Sequence, residues 1–306
     1  MGKFKSRKKF NNTIIYIGLF LISVAFSVKY LYQKQLINND TIIDTLINDN
    51  TNDNIMDVDF LMKYVLNVEL KEENYVNKEE NNLNKLEIDS SDDLNEPIVY
   101  IYNTHQEEKY KSTYLGEYNI DSTVFIASKI LKEYLEDLGI GVVVEEDNVT
   151  EKLHSMNWKY GYSYKVSRIF MESAKKENPS LKYFIDLHRD SSKYDVTTTE
   201  INGEKYAKLL FVIGLDNENY EPNLEMAENL KEKINKYNDS LFRGIMKKSG
   251  KGVNGVYNQD FSPDAILIEV GGQYNNISEV NNTLKVLAKI LANYIKEEEI
   301  NEKEEG

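Results

Sequence analysis

The stretch "PIVYIYNTH", residues 97–105, decides how the rest of the chain is read. Its apolar part, "IVYIY" at 98–102, is typical of a strand buried inside a sheet. Sheets of buried parallel strands bind their ligands at the carboxyl ends of those strands. His105 stands just beyond this strand and is one of only three histidines in 306 residues. The stretch therefore predicts a buried sheet with a functional edge near His105.

Apolar runs and helical patterns alternate downstream of this stretch. Further strands are predicted at 140–146, 181–188, 208–216 and 265–272. Amphipathic helices are predicted at 122–139, 162–178, 223–237 and 278–297, the last with Ser278 as its N-cap. This alternation predicts an α/β domain over residues 97–297, with a mostly parallel central sheet flanked by helices.

The chain before this domain has the pattern of a membrane anchor followed by a stalk. Residues 1–9 are basic, and 10–30 hold an uncharged apolar run that is long enough to span a bilayer core. The basic residues predict that the N-terminus stays in the cytoplasm and that the rest lies outside. A cleaved signal peptide is the alternative. Residues 31–96, rich in Asp, Glu and Asn, predict a stalk with a possible short helix at 55–68.

Composition excludes several classes of site. The net charge is −14 and the isoelectric point about 4.9, which disfavours a protein that binds nucleic acid. The chain has no cysteine, so disulfides, thiolate metal sites and thiol nucleophiles are excluded. It also lacks the G-x-S-x-G pattern of a serine nucleophile. The remaining acidic stretch, 298–306, is predicted to form a separate tail.

Three residues occupy equivalent places at the predicted strand ends. His105, His188 and Glu269 each lie at or just beyond the carboxyl end of a buried strand, so they are expected to meet at one edge of the sheet. Two imidazoles and a carboxylate suit Zn²⁺ when thiolates are absent. Each residue also has a structural alternative, as a polar strand end or an ion-pair partner. His154 follows no predicted strand and is expected on the surface.

Several motifs resemble those of the stage II sporulation protein P family of endospore-forming Firmicutes. They cover roughly residues 97–296 and read "YIYNTHQEEKY", "YFIDLHRDS", "RGIMKKSG", "NGVYNQDFSPDAILIEVGG" and "NNISEVNNT". The resemblance implies a peptidoglycan hydrolase that acts during engulfment of the forespore. It also implies a fold and chemistry similar to zinc-dependent N-acetylmuramoyl-L-alanine amidases, with an added endopeptidase activity on peptide cross-links. The implied partners are peptidoglycan, the membrane and the stage II sporulation proteins D and M.

The resemblance also assigns roles to individual residues. His105 and His188 match the histidines expected to bind zinc, and Glu269 matches the expected catalytic glutamate. Glu108 is the first choice for a third ligand and Glu117 the second, while a site with two histidines, water and substrate remains open.

The chain departs from the family pattern in one place. Many relatives read His-Thr-His where this chain has Asn103, Thr104 and His105. Asn103 is a poor zinc ligand, so the first histidine of that pair is not expected to be essential to the metal.

The leading hypothesis is therefore a membrane-anchored zinc amidase that acts outside the cytoplasm, in the septal space. Glu269 would be the general base, partly buried, with Gly271 and Gly272 letting the substrate approach. Candidates for holding the stem peptide or glycan are Arg189, Asn258 and Gln259. Two rival hypotheses are a non-catalytic module that binds the wall and a glycosidase with two carboxylates.

Overall fold

The structure is a computed structural model that describes residues 94–115, 118–120 and 122–305. Its strands are β1 (Leu94–Tyr102), β2 (Thr113–Leu115), β3 (Tyr118–Ile120), β4 (Ile140–Val144), β5 (Tyr183–Asp190), β6 (Thr198–Ile201), β7 (Glu204–Ala207), β8 (Leu209–Gly214), β9 (Phe242–Lys248) and β10 (Ala265–Gly272). Its α-helices are α1 (Val124–Glu136), α2 (Val149–Ser155), α3 (Ser163–Glu177), α4 (Tyr194–Thr197), α5 (Glu221–Asn238) and α6 (Ile277–Glu305).

The predicted anchor at 10–30, the possible helix at 55–68 and residues 31–93 of the predicted stalk lie outside the described residues. The stalk was predicted to reach residue 96, but strand β1 begins at Leu94, so its last three residues belong to the domain. None of the helices that the structure does describe is both long and apolar enough to cross a membrane.

Six strands form one central sheet in the order β4-β1-β5-β10-β8-β9. The first four strands run parallel, β8 runs antiparallel to β10, and β9 pairs parallel with β8. All six residues of β8 are buried, as are the first six of β5. The α/β class and the mostly parallel central sheet are thus confirmed, with two strands reversed at one side.

Helices cover both faces of this sheet because side chains alternate along each strand. Tyr100 and Tyr102 of β1 pack with Phe184 of β5 against Met171 of α3 in one buried cluster. Ile101 lies between the two tyrosines of β1 and faces the opposite side of the sheet, where α1 packs against α6. The sheet is therefore the middle layer of three.

Strand β9 and two short hairpins were not predicted. Strand β9 lies at the edge of the sheet, with a bend at Gly244 (φ 139°) and exposed Met246 and Lys247, so it lacks the continuous apolar signal of a buried strand. The β6–β7 hairpin turns at Asn202 and Gly203, whose φ angles are 54° and 90°. Asn-Gly is the usual pair for such a turn, so the sequence did carry that signal.

The last helix corrects two predictions. Its N-cap is Asn276 rather than Ser278, because the Asn276 side chain accepts a hydrogen bond from the Glu279 N–H at 2.9 Å and the Glu279 carboxylate accepts one from the Asn276 N–H. The predicted acidic tail instead continues helix α6 to Glu305. Lys182 pairs with Glu299 and Glu302 and so ties this acidic end to the body of the domain.

The chain order creates a crevice at one place along the sheet edge. Strand β1 lies between β4 and β5 in the sheet. The chain leaves β1 for β4 on one side of it and returns to β5 on its other side, so the strand order reverses between β1 and β5. Ligands of open α/β sheets bind at such switch points, beyond the carboxyl ends of the strands. The segment after β1 and the end of β5 both lie there.

Candidate metal centre

A tight turn after β1 brings His105 and Glu108 together. The backbone N–H of Glu108 donates to the His105 carbonyl at 3.0 Å, which closes the turn. Glu108 is also fixed from β5, because its Oε2 accepts a hydrogen bond from the Arg189 N–H at 3.1 Å. His188, the residue before Arg189, also contacts this carboxylate.

His105, Glu108 and His188 form a group that could hold a metal ion. Their ligand atoms all lie within 4.8 Å of one another. Glu108 lies between the histidines, with Oε1 at 3.8 Å from His105 Nδ1 and Oε2 at 3.4 Å from His188 Nδ1. Ligand atoms on a tetrahedral zinc lie about 3.3 Å apart, so small side-chain rotations would complete such a site. Two nitrogens and one carboxylate oxygen are a donor set that zinc accepts.

Asp186 contacts the ring nitrogen of His188 that faces away from Glu108. It is fully buried and accepts two hydrogen bonds from Thr104, at 2.9 Å from the N–H and 2.7 Å from the hydroxyl. Nε2 of His188 lies 2.9 Å from Asp186 Oδ1 but without hydrogen-bond geometry, so among the described residues this buried nitrogen has no hydrogen-bond partner. With Nε2 facing Asp186, Nδ1 of His188 is the nitrogen directed at Glu108. Carboxylates that accept a hydrogen bond from this far ring nitrogen orient metal-binding histidines in many proteins, and a small rotation of either side chain would make that bond here.

The pKa values of the three candidate ligands reflect this crowding. Burial lowers the pKa of His105, and His188 acts in the same direction. Burial alone would lower the pKa of His188, but Asp186 and Glu108 outweigh it and raise that pKa well above its usual value. Burial opposes the ionisation of Glu108, yet its contacts with His188 and the Arg189 N–H bring its pKa below the usual value. The two carboxylates that raise the pKa of His188 would also favour a metal cation at this place.

Glu269 stands beside His188 on the next strand. The two residues are direct partners in the β5–β10 pairing. Burial raises the pKa of Glu269 to about 7, although His188 opposes that effect. Within the described part of the chain, its buried Oε2 has no hydrogen-bond partner. A half-buried carboxyl with such a pKa and a free oxygen is suited to accept a proton near neutral pH.

Packing within the domain accounts for the glycines after Glu269, and their role in substrate approach stays a prediction. Gly271 has φ +64°, and a Cβ there would lie 2.7 Å from the Asn275 side chain. A Cβ on Gly272 would lie 3.0 Å from the Asp190 carbonyl oxygen. Both glycines are enclosed by the protein itself.

Two of the three predicted substrate-binding residues make hydrogen bonds within the fold. Asn258 donates from Nδ2 to the Tyr164 carbonyl and to Ser167 Oγ, both at 3.0 Å. Gln259 bridges the backbone of β8, because its side chain accepts from the Gly214 N–H and donates to the Val212 carbonyl. Both side chains are buried. A contact of either side chain with a substrate stays a prediction.

Arg189, the third of these residues, does lie beside the candidate metal centre. Its Nε donates to the Lys109 carbonyl at 3.0 Å, so the guanidinium packs along the 105–110 turn. It remains partly exposed.

The other residues considered from sequence fall outside the cluster. Asn103 is buried and joins the end of β1 to its surroundings, with Nδ2 donating to the Leu187 carbonyl and Oδ1 accepting from Ser128. His154 is exposed on α2, as expected. Glu117 lies outside the described residues.

Sequence reasoning missed Asp186 and the tyrosines around His105. The ring of Tyr160 stacks on His105 with centroids 5.0 Å apart, and Tyr164 meets His105 edge-on at 5.7 Å. Tyr164 in turn contacts Tyr257 at 5.5 Å. The sequence "YGYSY" at 160–164 and the acid inside the apolar strand "YFIDLH" were the available signals.

Comparisons with known proteins place the chain among sporulation proteins. The family model described as stage II sporulation protein P matches residues 31–292. The stage II sporulation protein P of Bacillus subtilis (strain 168) is 34% identical over 201 residues, which make up 64% of this chain and 50% of that protein. The chain thus aligns with half the length of this curated relative.

Solved structures with a similar chain path include two amidases. The CwlD amidase from Clostridioides difficile, in complex with the GerS lipoprotein, has a TM-score of 0.41 and 14% identity, covering 66% of this chain and 99% of that chain. The N-acetylmuramoyl-L-alanine amidase AmiC2 of Nostoc punctiforme has a TM-score of 0.36 and 13% identity, covering 65% and 97%.

Proposed function

Because the chain belongs to the stage II sporulation protein P family, we propose that it is a peptidoglycan hydrolase of sporulation and engulfment. Its main activity would be that of a zinc-dependent N-acetylmuramoyl-L-alanine amidase, with endopeptidase activity on peptide cross-links. The observation that carries this proposal is the convergence of His105, Glu108 and His188 beside Glu269 at one edge of the sheet.

The proposed setting follows from the N-terminal pattern. Residues 10–30 would anchor the protein in the membrane as a single span, and residues 31–93 would carry the domain outwards to the wall. The sporulation stage II proteins D and M are the proposed partners.

In the proposed mechanism, His105, His188 and Glu108 hold the zinc ion. When bound, zinc supplies Lewis-acid polarisation of the amide carbonyl and lowers the pKa of a water molecule. Glu269 Oε2 accepts the proton of the attacking water and returns it to the leaving nitrogen. Asp186 keeps the His188 ring oriented so that Nδ1 faces the site. Arg189 lines the turn and is a candidate contact for the stem peptide.

Product chemistry tests the proposal. Purified peptidoglycan is digested with the full chain, and free amino groups, reducing sugar ends and fragment masses are measured. An amidase separates peptides that begin with L-Ala from intact glycan strands, and an endopeptidase also cuts the cross-links. The Glu269→Gln variant should still bind zinc and wall. Its rate of amine release should fall by about a hundredfold or more, as expected when a general base is lost.

Other products would contradict the proposal. New reducing ends without free amines would indicate a glycosidase. Binding to the wall without either product would indicate a non-catalytic module. Full activity after zinc chelation would refute the metal assignment.

A further inference from the structure

The segment between α2 and α3 carries three aromatic residues. Trp158, Tyr160 and Tyr162 form what we name the aromatic rim. Tyr160 to Tyr162 make a short 3-10 turn, and the Tyr160 carbonyl accepts a hydrogen bond from the Ser163 hydroxyl at 2.7 Å. Trp158 packs against a small apolar cluster that joins α2 to α3, and its ring lies 5.4 Å from that of Tyr162. The rim is therefore a built feature of the domain surface.

Tyr160 connects this rim to the candidate metal centre. Its ring lies nearly parallel to that of His105, at 16° and 5.0 Å between centroids. Tyr160 is nevertheless 64% exposed. One face of the ring thus covers a candidate ligand, and the other face is open to solvent. Tyr162, at 42%, is exposed on the same turn.

We propose that the aromatic rim binds the glycan strand of the substrate, with a sugar ring stacked on the open face of Tyr160. The inference rests on the proposed amidase function. In that reaction the cleaved amide joins L-Ala to the lactyl group carried on the muramic acid ring, so a sugar ring must lie within a few atoms of the metal centre. Among the described residues, Tyr160 offers an exposed flat surface at that distance, because its ring stacks on His105.

The chemistry of the two surfaces matches. A pyranose ring presents weakly positive C–H groups on its face, and an aromatic face carries the negative part of the ring quadrupole. Tyr160 and Trp158 also have polar edges that can hydrogen-bond to sugar hydroxyls. A tyrosine that is fixed on one face costs little side-chain entropy when the other face is covered.

Intrinsic fluorescence offers a direct test, because Trp158 is the single tryptophan of the chain. The full chain, in a detergent without a sugar headgroup and with zinc removed by chelation, is titrated with peptide-free glycan strands of peptidoglycan. The emission of Trp158 should change and saturate. Tyr160→Ala should weaken binding by about fivefold to tenfold, the value of one aromatic contact. Tyr160→Phe should stay within about twofold of the parent, because the stacking face is kept.

A matched control is Tyr220→Ala. Tyr220 stands directly before α5, after β8 has run to the opposite edge of the sheet, so this change should leave glycan binding unaltered. Zinc content should equal that of the parent in all three variants.

Several results would overturn the inference. One is a parent protein that gives neither a fluorescence change nor a calorimetric signal with glycan strands. Another is undiminished binding by Tyr160→Ala, or binding of free stem peptide in place of glycan. Loss of zinc by Tyr160→Ala with glycan binding intact would assign the residue to holding His105 instead. The titration needs neither metal nor turnover, so failure of the amidase proposal would be seen separately, in the wall digestion.

Discussion

Replacing Glu269 by Gln is expected to stabilise the metal-free protein at alkaline pH while removing its activity. The pKa of Glu269 is raised from 4.5 to about 7, mainly by burial. A carboxyl with a raised pKa in the folded state lowers the free energy of unfolding as pH rises, from about the unfolded pKa up to the folded one. The ionised Glu269 therefore costs the protein stability above about pH 7, and the neutral glutamine does not.

The difference between 4.5 and about 7 corresponds to about 3 kcal/mol, at roughly 1.4 kcal/mol per pKa unit. Between about pH 5 and pH 8, about 2.5 kcal/mol of this penalty develops. The quantity to measure is the change caused by Glu269→Gln in the free energy of unfolding at each pH. Subtracting the change at about pH 5 from the change at about pH 8 removes any constant cost of burying the glutamine amide. For a domain of this size the effect amounts to about 5–10 °C in Tm.

Thermal unfolding of the parent and the variant is followed by circular dichroism at the two pH values, with zinc chelated. The variant should gain stability relative to the parent at about pH 8 and gain little at about pH 5. Added zinc should reduce the difference in stability between variant and parent at about pH 8, because a nearby cation favours the ionised carboxylate of the parent. Equal effects of the substitution at both pH values would refute the reasoning, since Glu269 would then ionise without penalty and lose its rationale as a proton acceptor.

Three further outcomes are expected at other positions. His105→Ala and His188→Ala should each lose bound zinc, measured by metal analysis of the purified protein, whereas the exposed His154→Ala should keep it; retention of zinc by either of the first two would remove that residue from the ligand set. Asp186→Asn should weaken zinc binding by about 10-fold to 100-fold, measured by chelator competition, because the ring of His188 loses its buried orienting carboxylate; unchanged affinity would leave Asp186 with a role only in folding. Protease added outside intact cells should cut within residues 31–93 and leave the N-terminal fragment in the membrane, whereas a soluble protein starting near residue 28 would indicate a cleaved signal.

The sequence determined most of the elements and the approximate place of the site. Short apolar runs rich in β-branched and aromatic residues, such as "IVYIY" and "AILIEVGG", favour buried strands, and their alternation with helical patterns indicated the α/β class. The carboxyl ends of parallel strands share one edge, so His105 and His188 could be placed together in advance. Elements without a strong apolar pattern, such as the edge strand β9, were missed for the same physical reason.

Only the tertiary structure decided which polar side chains are available for chemistry. Glu108 faces both histidines because a turn and the Arg189 N–H fix it there. The side-chain amides of Asn258 and Gln259, in contrast, form hydrogen bonds with neighbouring backbone and side chains. Tyr160 gained its place beside His105 through contact between segments far apart in the chain. Asp186 shares a face of β5 with His188 because the two are two residues apart, but only the approach of Thr104 fixes its buried carboxylate. Hydrogen-bond partners and burial depend on the approach of such segments, and periodicity along one segment carries no information about that approach.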